Sequence, residues 1–204
     1  MGDCAIAPVS VVVPCFRCGA TIGRAVASIA GQTQKPAEVL LVDDASGDET
    51  SSSLQQLVSG YPSWVKVLVL AHNQGPSAAR NAGWEAAAQP YVAFLDADDS
   101  WHPEKMRIQY GFMHGHPDVD ISGHRCVWVR AEETPPPVSD EVTITAITVS
   151  DLVFGTRLST PSIMLKRHLP FRFEADKRYA EDVHLWRQVA CASNSIVRIL
   201  RFSL

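Results

Sequence analysis

Three carboxylates, Asp96, Asp98 and Asp99, fall within four residues, immediately after the apolar run Tyr91-Val92-Ala93-Phe94-Leu95. Groups of like charge that close repel one another unless a cation, a shared proton or a set of hydrogen bonds compensates. A hard divalent cation is the simplest compensation. One or two carboxylate ligands, completed by phosphate oxygens, suit Mg2+ or Mn2+. Capping of a helix that opens near Pro103 would account for one of the three carboxylates only. A second acidic pair, Asp43-Asp44, follows another apolar run, Val39 to Val42. A third, Glu181-Asp182, opens a stretch of helical period, where an acidic residue is either a helix cap or a proton acceptor.

The motifs that bind other phosphate-bearing ligands are missing. The turn Pro14-Cys15-Phe16-Arg17-Cys18-Gly19 has no G-x-G-x-x-G, and no G-x-x-x-x-G-K-[ST] occurs in the chain, so dinucleotide and P-loop readings drop out. Asp-x-Asp after a strand also suits the nucleophile loop of a haloacid-dehalogenase-like phosphatase. There the loop normally follows the first strand, and here it follows the fourth. Cys15-x-x-Cys18 has the spacing of a redox pair or half a zinc site, with no second pair to complete a tetrahedral site. His114 and His116, around Gly115, read as an exposed helix end.

Strands and helices must position these groups. Apolar β-branched runs alternate with stretches of helical period, which predicts an α/β fold on a largely parallel sheet. The first 95 residues show this alternation four times. Strands are expected at 9–13, 39–42, 64–70 and 91–95. Helices are expected after Gly19 (Ile22, Val26 and Ile29 inward), after Asp48 (Leu54, Leu57 and Val58) and from Pro76 (Ala79, Gly83 and Ala86). In such sheets ligands sit beyond the carboxyl ends of the strands, where both Asp43-Asp44 and Asp96 to Asp99 fall. Further on, the pattern predicts a helix from Pro103 carrying Met106, Tyr110 and Met113, β pieces at 127–129 and 142–147, and a loop tip at Pro135-Pro136-Pro137. A strand at 162–165, a helix at 181–190 and a last strand at 196–200 follow.

Five stretches, taken in order, resemble the family 2 glycosyltransferases of the GT-A fold: Val11-Val12-Val13-Pro14-Cys15-Phe16, Val42-Asp43-Asp44-Ala45-Ser46-Gly47-Asp48-Glu49-Thr50, Asn73-Gln74-Gly75 with Ala79-Arg80-Asn81-Ala82-Gly83, Phe94-Leu95-Asp96-Ala97-Asp98-Asp99, and Ala180-Glu181-Asp182-Val183-His184-Leu185-Trp186. The resemblance implies one GT-A domain, with a nucleotide-binding half at about 1–100 and a mixed acceptor-side half at about 101–204. It implies an inverting transfer of a sugar from a nucleotide-diphosphate sugar to a hydroxyl. Pro14 and Phe16 would border the base, Asp44 would accept hydrogen bonds from it, and Arg80 would reach the base or ribose. Asp96 would contact ribose, Asp98 would bind the Mg2+ or Mn2+ bridging the diphosphate, and Asp99 would touch the sugar or support the site. Asp182 would be the base. Glu181 and Trp186 would lie on the acceptor side, Trp186 more by packing than by touching sugar. The 159–162 and 179–182 stretches are similar to bacterial surface-polysaccharide enzymes, which suggests a glycan or lipid-linked acceptor. Arg17 stands where the family usually has a small polar residue, and relatives generally continue beyond residue 204. A nucleotide-sugar binder with impaired catalysis is the competing class.

At 204 residues, 46% hydrophobic and 20% charged, the chain can bury a full core without disulfides. Its net charge of −4 argues against a nucleic-acid backbone as partner. No apolar run is long enough to span a bilayer, so a cytoplasmic protein is expected. The charge is uneven: residues 1–156 carry nine basic and eighteen acidic side chains, residues 157–204 nine and four. The basic end suggests contact with an anionic surface such as the inner face of a membrane.

Overall fold

The computed structural model describes residues 6–124, 126, 143–154, 158–174, 181–192 and 197–201. Eight strands form one sheet. β1 (Ala7–Cys15), β2 (Pro36–Asp43), β3 (Val65–Val69) and β4 (Tyr91–Phe94) alternate with α1 (Ile22–Ala30), α2 (Thr50–Gly60) and α3 (Pro76–Ala86). Then follow α4 (Lys105–Gly115), β5 (Ile121–His124), β6 (Thr143–Ile147), α5 (Val149–Phe154), a 3-10 turn (Thr160–Ser162), β7 (Met164–Lys166), α6 (Glu181–Ala192) and β8 (Val197–Arg201). Across the sheet the order is β3-β2-β1-β4-β7-β5-β8-β6. The first four strands are mutually parallel, and β7 is antiparallel to β4 and to β5. The alternation of strand and helix therefore gives the α/β fold expected. The strand at 162–165 begins two residues later than expected, after the 3-10 turn. β5 and α5 are additions that no strong period announced. The strand expected at 127–129 and the proline run lie outside the described residues.

Because side chains alternate along a strand, β1 feeds two cores. Val11 and Val13 join Ile22, Val26 and Ile29 of α1, Leu54 of α2 and Met106 and Met113 of α4 on one face. Val12 joins Ala79 and Trp84 of α3 and Leu185, Trp186 and Val189 of α6 on the other. The buried Glu38 on β2 does not float charged in this interior. One oxygen accepts from Ser10 Oγ and the Ala88 N–H, the other from Lys66 Nζ, all at 2.7 Å. Burial pushes its carboxyl up, and these donors together bring it below the usual range.

Two features of this topology set up a site. The central strand β1 has β2 on one side and β4 on the other, so the chain leaves it in opposite directions and a crevice opens beyond the carboxyl ends. The antiparallel β7, with Met164 opposite Ala93, starts at that same end. The 3-10 turn just before β7 is thereby brought beside the loop that follows β4.

Candidate active site

The crevice is a cavity of about 570 Å3 walled by the segments after β1, β2 and β4 and by the start of α3. Pro14, Phe16, Asp44, Arg80, Asp96 and Asp98 all line it. Cys15 and Cys18 also line it, as free thiols. Asp99 and Asp182 are not among its lining residues.

Backbone pairing ties the walls together. The Asp44 N–H donates to Cys15 O at 2.8 Å and the Leu95 N–H to Val12 O at 3.1 Å, extending the parallel ladders past the strand ends. Asp43 Oδ1 accepts from the Ser46 N–H at 3.1 Å, and Ser46 Oγ accepts from the Arg17 N–H at 3.1 Å. The Cys18 N–H donates to Thr50 Oγ1 at 2.9 Å. Ala45 (φ +56°) and Arg17 (φ +49°) take the left-handed conformation in these two loops, an uncommon state for residues with a Cβ that the surrounding bonds must hold.

Asp44 is 2% exposed, and its oxygens accept the N–H groups of Gln74 (2.8 Å) and Gly75 (2.7 Å). Gly75 sits at φ +88°, where the absence of a Cβ matters, and Pro76 then opens α3 as a first-turn proline. The carboxylate therefore locks the entry to α3 before it meets any ligand. One turn into α3, Arg80 is 7% exposed. Its Nη2 donates to Asp96 Oδ1 at 2.7 Å and its guanidinium lies 5.5 Å from the Phe173 ring centre. Asn81 fixes that ring in turn, exchanging hydrogen bonds with the N–H and carbonyl of Phe173 (3.0 and 2.8 Å).

The acidic loop divides its labour. Asp96 is committed to Arg80. Asp98 and Asp99 are exposed, and the Asp98 carbonyl accepts from Arg24 Nη2. Desolvation, then the Asp96 and Asp98 charges, push the Asp99 carboxyl above its usual range. An exposed carboxylate at the cavity wall, beside a second one, is a donor set that fits a hard cation completed by ligand oxygens. No cluster of three or more potential metal-binding side chains occurs among the described residues, so such a cation would depend on its ligand for the remaining oxygens.

Asp182, at the start of α6, is half-buried. Its Oδ2 accepts from Thr160 Oγ1 at 3.3 Å and its Oδ1 from the Val183 N–H at 2.7 Å. Trp186 is fully buried and donates its indole N–H to Leu158 O at 3.2 Å. Its ring packs against Phe173, with 5.8 Å between ring centres. The side chain of Glu181 and the Tyr179-Ala180 stretch lie outside the described residues.

Several residues that build the site had no motif to announce them. Ser28 Oγ accepts the Trp101 N–H (3.1 Å), and Gln32 accepts the Met106 N–H (2.8 Å) and donates to His102 O (2.8 Å). Spaced i, i+4, Ser28 in the last turn of α1 and Gln32 just past its end, they hold the far end of the acidic loop. Phe173, the ring beneath Arg80, was equally silent. Two polar residues spaced i, i+4 at the carboxyl end of an apolar helix were the available signal for Ser28 and Gln32. For Phe173 there was none.

The model of glycosyl transferase family 2 matches residues 10–174. The chain belongs to glycosyl transferase family 2. The Escherichia coli UDP-Glc:alpha-D-GlcNAc-diphosphoundecaprenol beta-1,3-glucosyltransferase WfgD is 26% identical over 194 residues, covering 91% of this chain and 71% of WfgD. The succinoglycan biosynthesis protein ExoO of Rhizobium meliloti is 39% identical over 100 residues, 48% of this chain and 28% of ExoO. Among solved structures, S. aureus TarS 1-349 in complex with UDP superposes with a TM-score of 0.74 at 25% identity, covering 96% of this chain and 57% of that one. This family 2 chain thus spans little more than half of TarS 1-349 and less than a third of ExoO. Its fold is that of the GT-A enzymes. No helix among its described residues is long and apolar enough to cross a membrane. Of the basic residues in 157–204, Lys166 pairs with Asp120 at 2.8 Å and Arg172 Nε with Glu85 at 2.6 Å, so these two serve the fold.

Proposed function

We propose that the chain is a metal-dependent, inverting glycosyltransferase that moves a sugar from a nucleotide-diphosphate sugar to a hydroxyl of a glycan or lipid-linked acceptor in polysaccharide biosynthesis. The observation that carries this reading is the cavity at the carboxyl ends of β1, β2 and β4, where Asp44, Arg80, Asp96 and Asp98 meet in a family 2 chain. The glucosyltransferase WfgD, the succinoglycan biosynthesis protein ExoO and the UDP bound to TarS support it.

Pro14 and the half-exposed Phe16 offer the base an apolar wall, and the Asp44 carboxylate supplies acceptors at its edge. Arg80 holds Asp96 in position for ribose. Asp98, with Asp99 beside it, would hold Mg2+ or Mn2+. Such a cation neutralises the charge that builds on the departing diphosphate. Asp182 takes the proton from the acceptor hydroxyl. The oxygen then attacks the anomeric carbon as the nucleoside diphosphate leaves from the opposite face, which inverts the configuration. A lipid-linked acceptor would bring the chain to a membrane surface, with the basic stretch 157–204 toward the headgroups.

Titration calorimetry of UDP and GDP, with and without Mn2+, tests the donor half. One of the two should bind, and Asp98→Ala should weaken that binding in Mn2+ by at least about tenfold, equivalent to 1.4 kcal/mol. Binding by Asp98→Ala as tight as wild type would remove Asp98 from the role.

A further inference from the structure

Trp101 lies five residues beyond Asp96 and is 6% exposed. Three separate groups hold it. Ser28 Oγ accepts its backbone N–H at 3.1 Å. Pro161 O accepts its indole Nε1–H at 2.9 Å. The Lys105 ammonium sits 3.5 Å from the centre of its ring.

Lys105 makes this arrangement unusual. It is 2% exposed, and its Nζ has no hydrogen-bond partner among the described residues. Desolvating an ammonium group is costly, and the face of an indole is the best aromatic surface for offsetting that cost. A lysine seated this way keeps the ring from turning, since rotation would expose the amine to apolar surroundings.

The indole N–H then reaches across to the other half of the site. Pro161 lies inside the 3-10 turn, and Thr160, its neighbour, donates from Oγ1 to Asp182 Oδ2 at 3.3 Å. The path Trp101, Pro161, Thr160, Asp182 thus runs without a gap from the acidic loop to the carboxylate at the head of α6. We infer that Trp101 and Thr160 are positioning residues that set where Asp182 stands relative to the donor-side loop. This rests on the reading of Asp182 as the base. A nucleophile and its base must be held to within about an ångström, and a displacement of that size costs up to about 10²-fold in rate.

The test uses Trp101→Phe, which keeps a ring and loses the indole N–H, and Thr160→Val, which keeps the shape and loses the hydroxyl. The substrate is whichever of UDP-glucose, UDP-N-acetylglucosamine and GDP-mannose releases its nucleoside diphosphate fastest with Mn2+. Each variant should lower kcat by about 10- to 100-fold while the Kd for the same nucleoside diphosphate stays within about twofold of wild type. The double variant should fall no more than about threefold below the worse single, because both changes break one path. A merely structural role would spread the loss to donor affinity and make the two changes multiply. Wild-type kcat in both folded single variants, or multiplying losses, overturns the inference. Loss of turnover in Asp182→Asn alone, with both positioning variants active, sinks the inference and leaves the base. Wild-type turnover in Asp182→Asn sinks both.

Discussion

The two oxygens of Asp44 each hold one backbone N–H, of Gln74 and of Gly75, with the carboxylate almost wholly buried. Hydrogen bonds to a charged group contribute about 1.5–3 kcal/mol each, and a buried N–H left without an acceptor is costly. Asp44→Ala should therefore destabilise the fold by about 3 kcal/mol, read as a shifted midpoint in urea unfolding. Asp44→Asn, which keeps one acceptor oxygen, should lose about half as much. Both should also weaken nucleotide binding, because Gly75 and Arg80 move with the segment that Asp44 holds. A carboxylate after a buried strand was legible as a site residue from its type and place. That its bonds run to its own backbone was not, because Gln74 and Gly75 are thirty residues away in sequence and meet it only once α3 docks.

Among the elements, α3 depends on a close approach that one residue permits. A Cβ on Gly83 would collide with Val12 Cγ1 of β1 and come within 3.0 Å of Val42 Cγ2 of β2. Two branched side chains on adjacent central strands cannot both give way, so Gly83→Ala should cost about 1–3 kcal/mol by overpacking. It should also weaken UDP or GDP binding, since Arg80 lies three residues earlier on the same helix. A lower thermal midpoint together with a raised nucleotide Kd would bear this out. An unchanged Kd would contradict the coupling of Gly83 packing to the place of Arg80. The small-residue face of α3 was readable from Ala79 and Gly83, as were the first four strands from their apolar runs, three of which end in Pro or Asp. Among the later strands β5 was hidden for a physical reason: at four residues it is too short to show a period, and long-range pairing with β7 and β8 holds it in place.

At the scale of the whole molecule, the topology brings together acidic groups that lie far apart in sequence. The parallel half delivers Asp44 and Asp98 to one end of the sheet. The antiparallel β7 returns the 3-10 turn, and with it Asp182, to that same end. Sequence spacing could place each acidic pair at an element boundary, but the antiparallel direction of the three-residue β7, which joins the two halves, has no mark in the sequence. The account stands on Asp182 doing chemistry at a site whose donor side is built elsewhere. Its most direct measurement is turnover of a nucleotide-sugar in Mn2+ by Asp182→Asn, set beside calorimetry of the matching nucleoside diphosphate. Removal of a positioned base costs about 10²–10⁴ in rate, so kcat should fall by that much while the nucleotide binds as in wild type. Turnover at the wild-type rate, or a loss confined to nucleotide binding, would contradict the account.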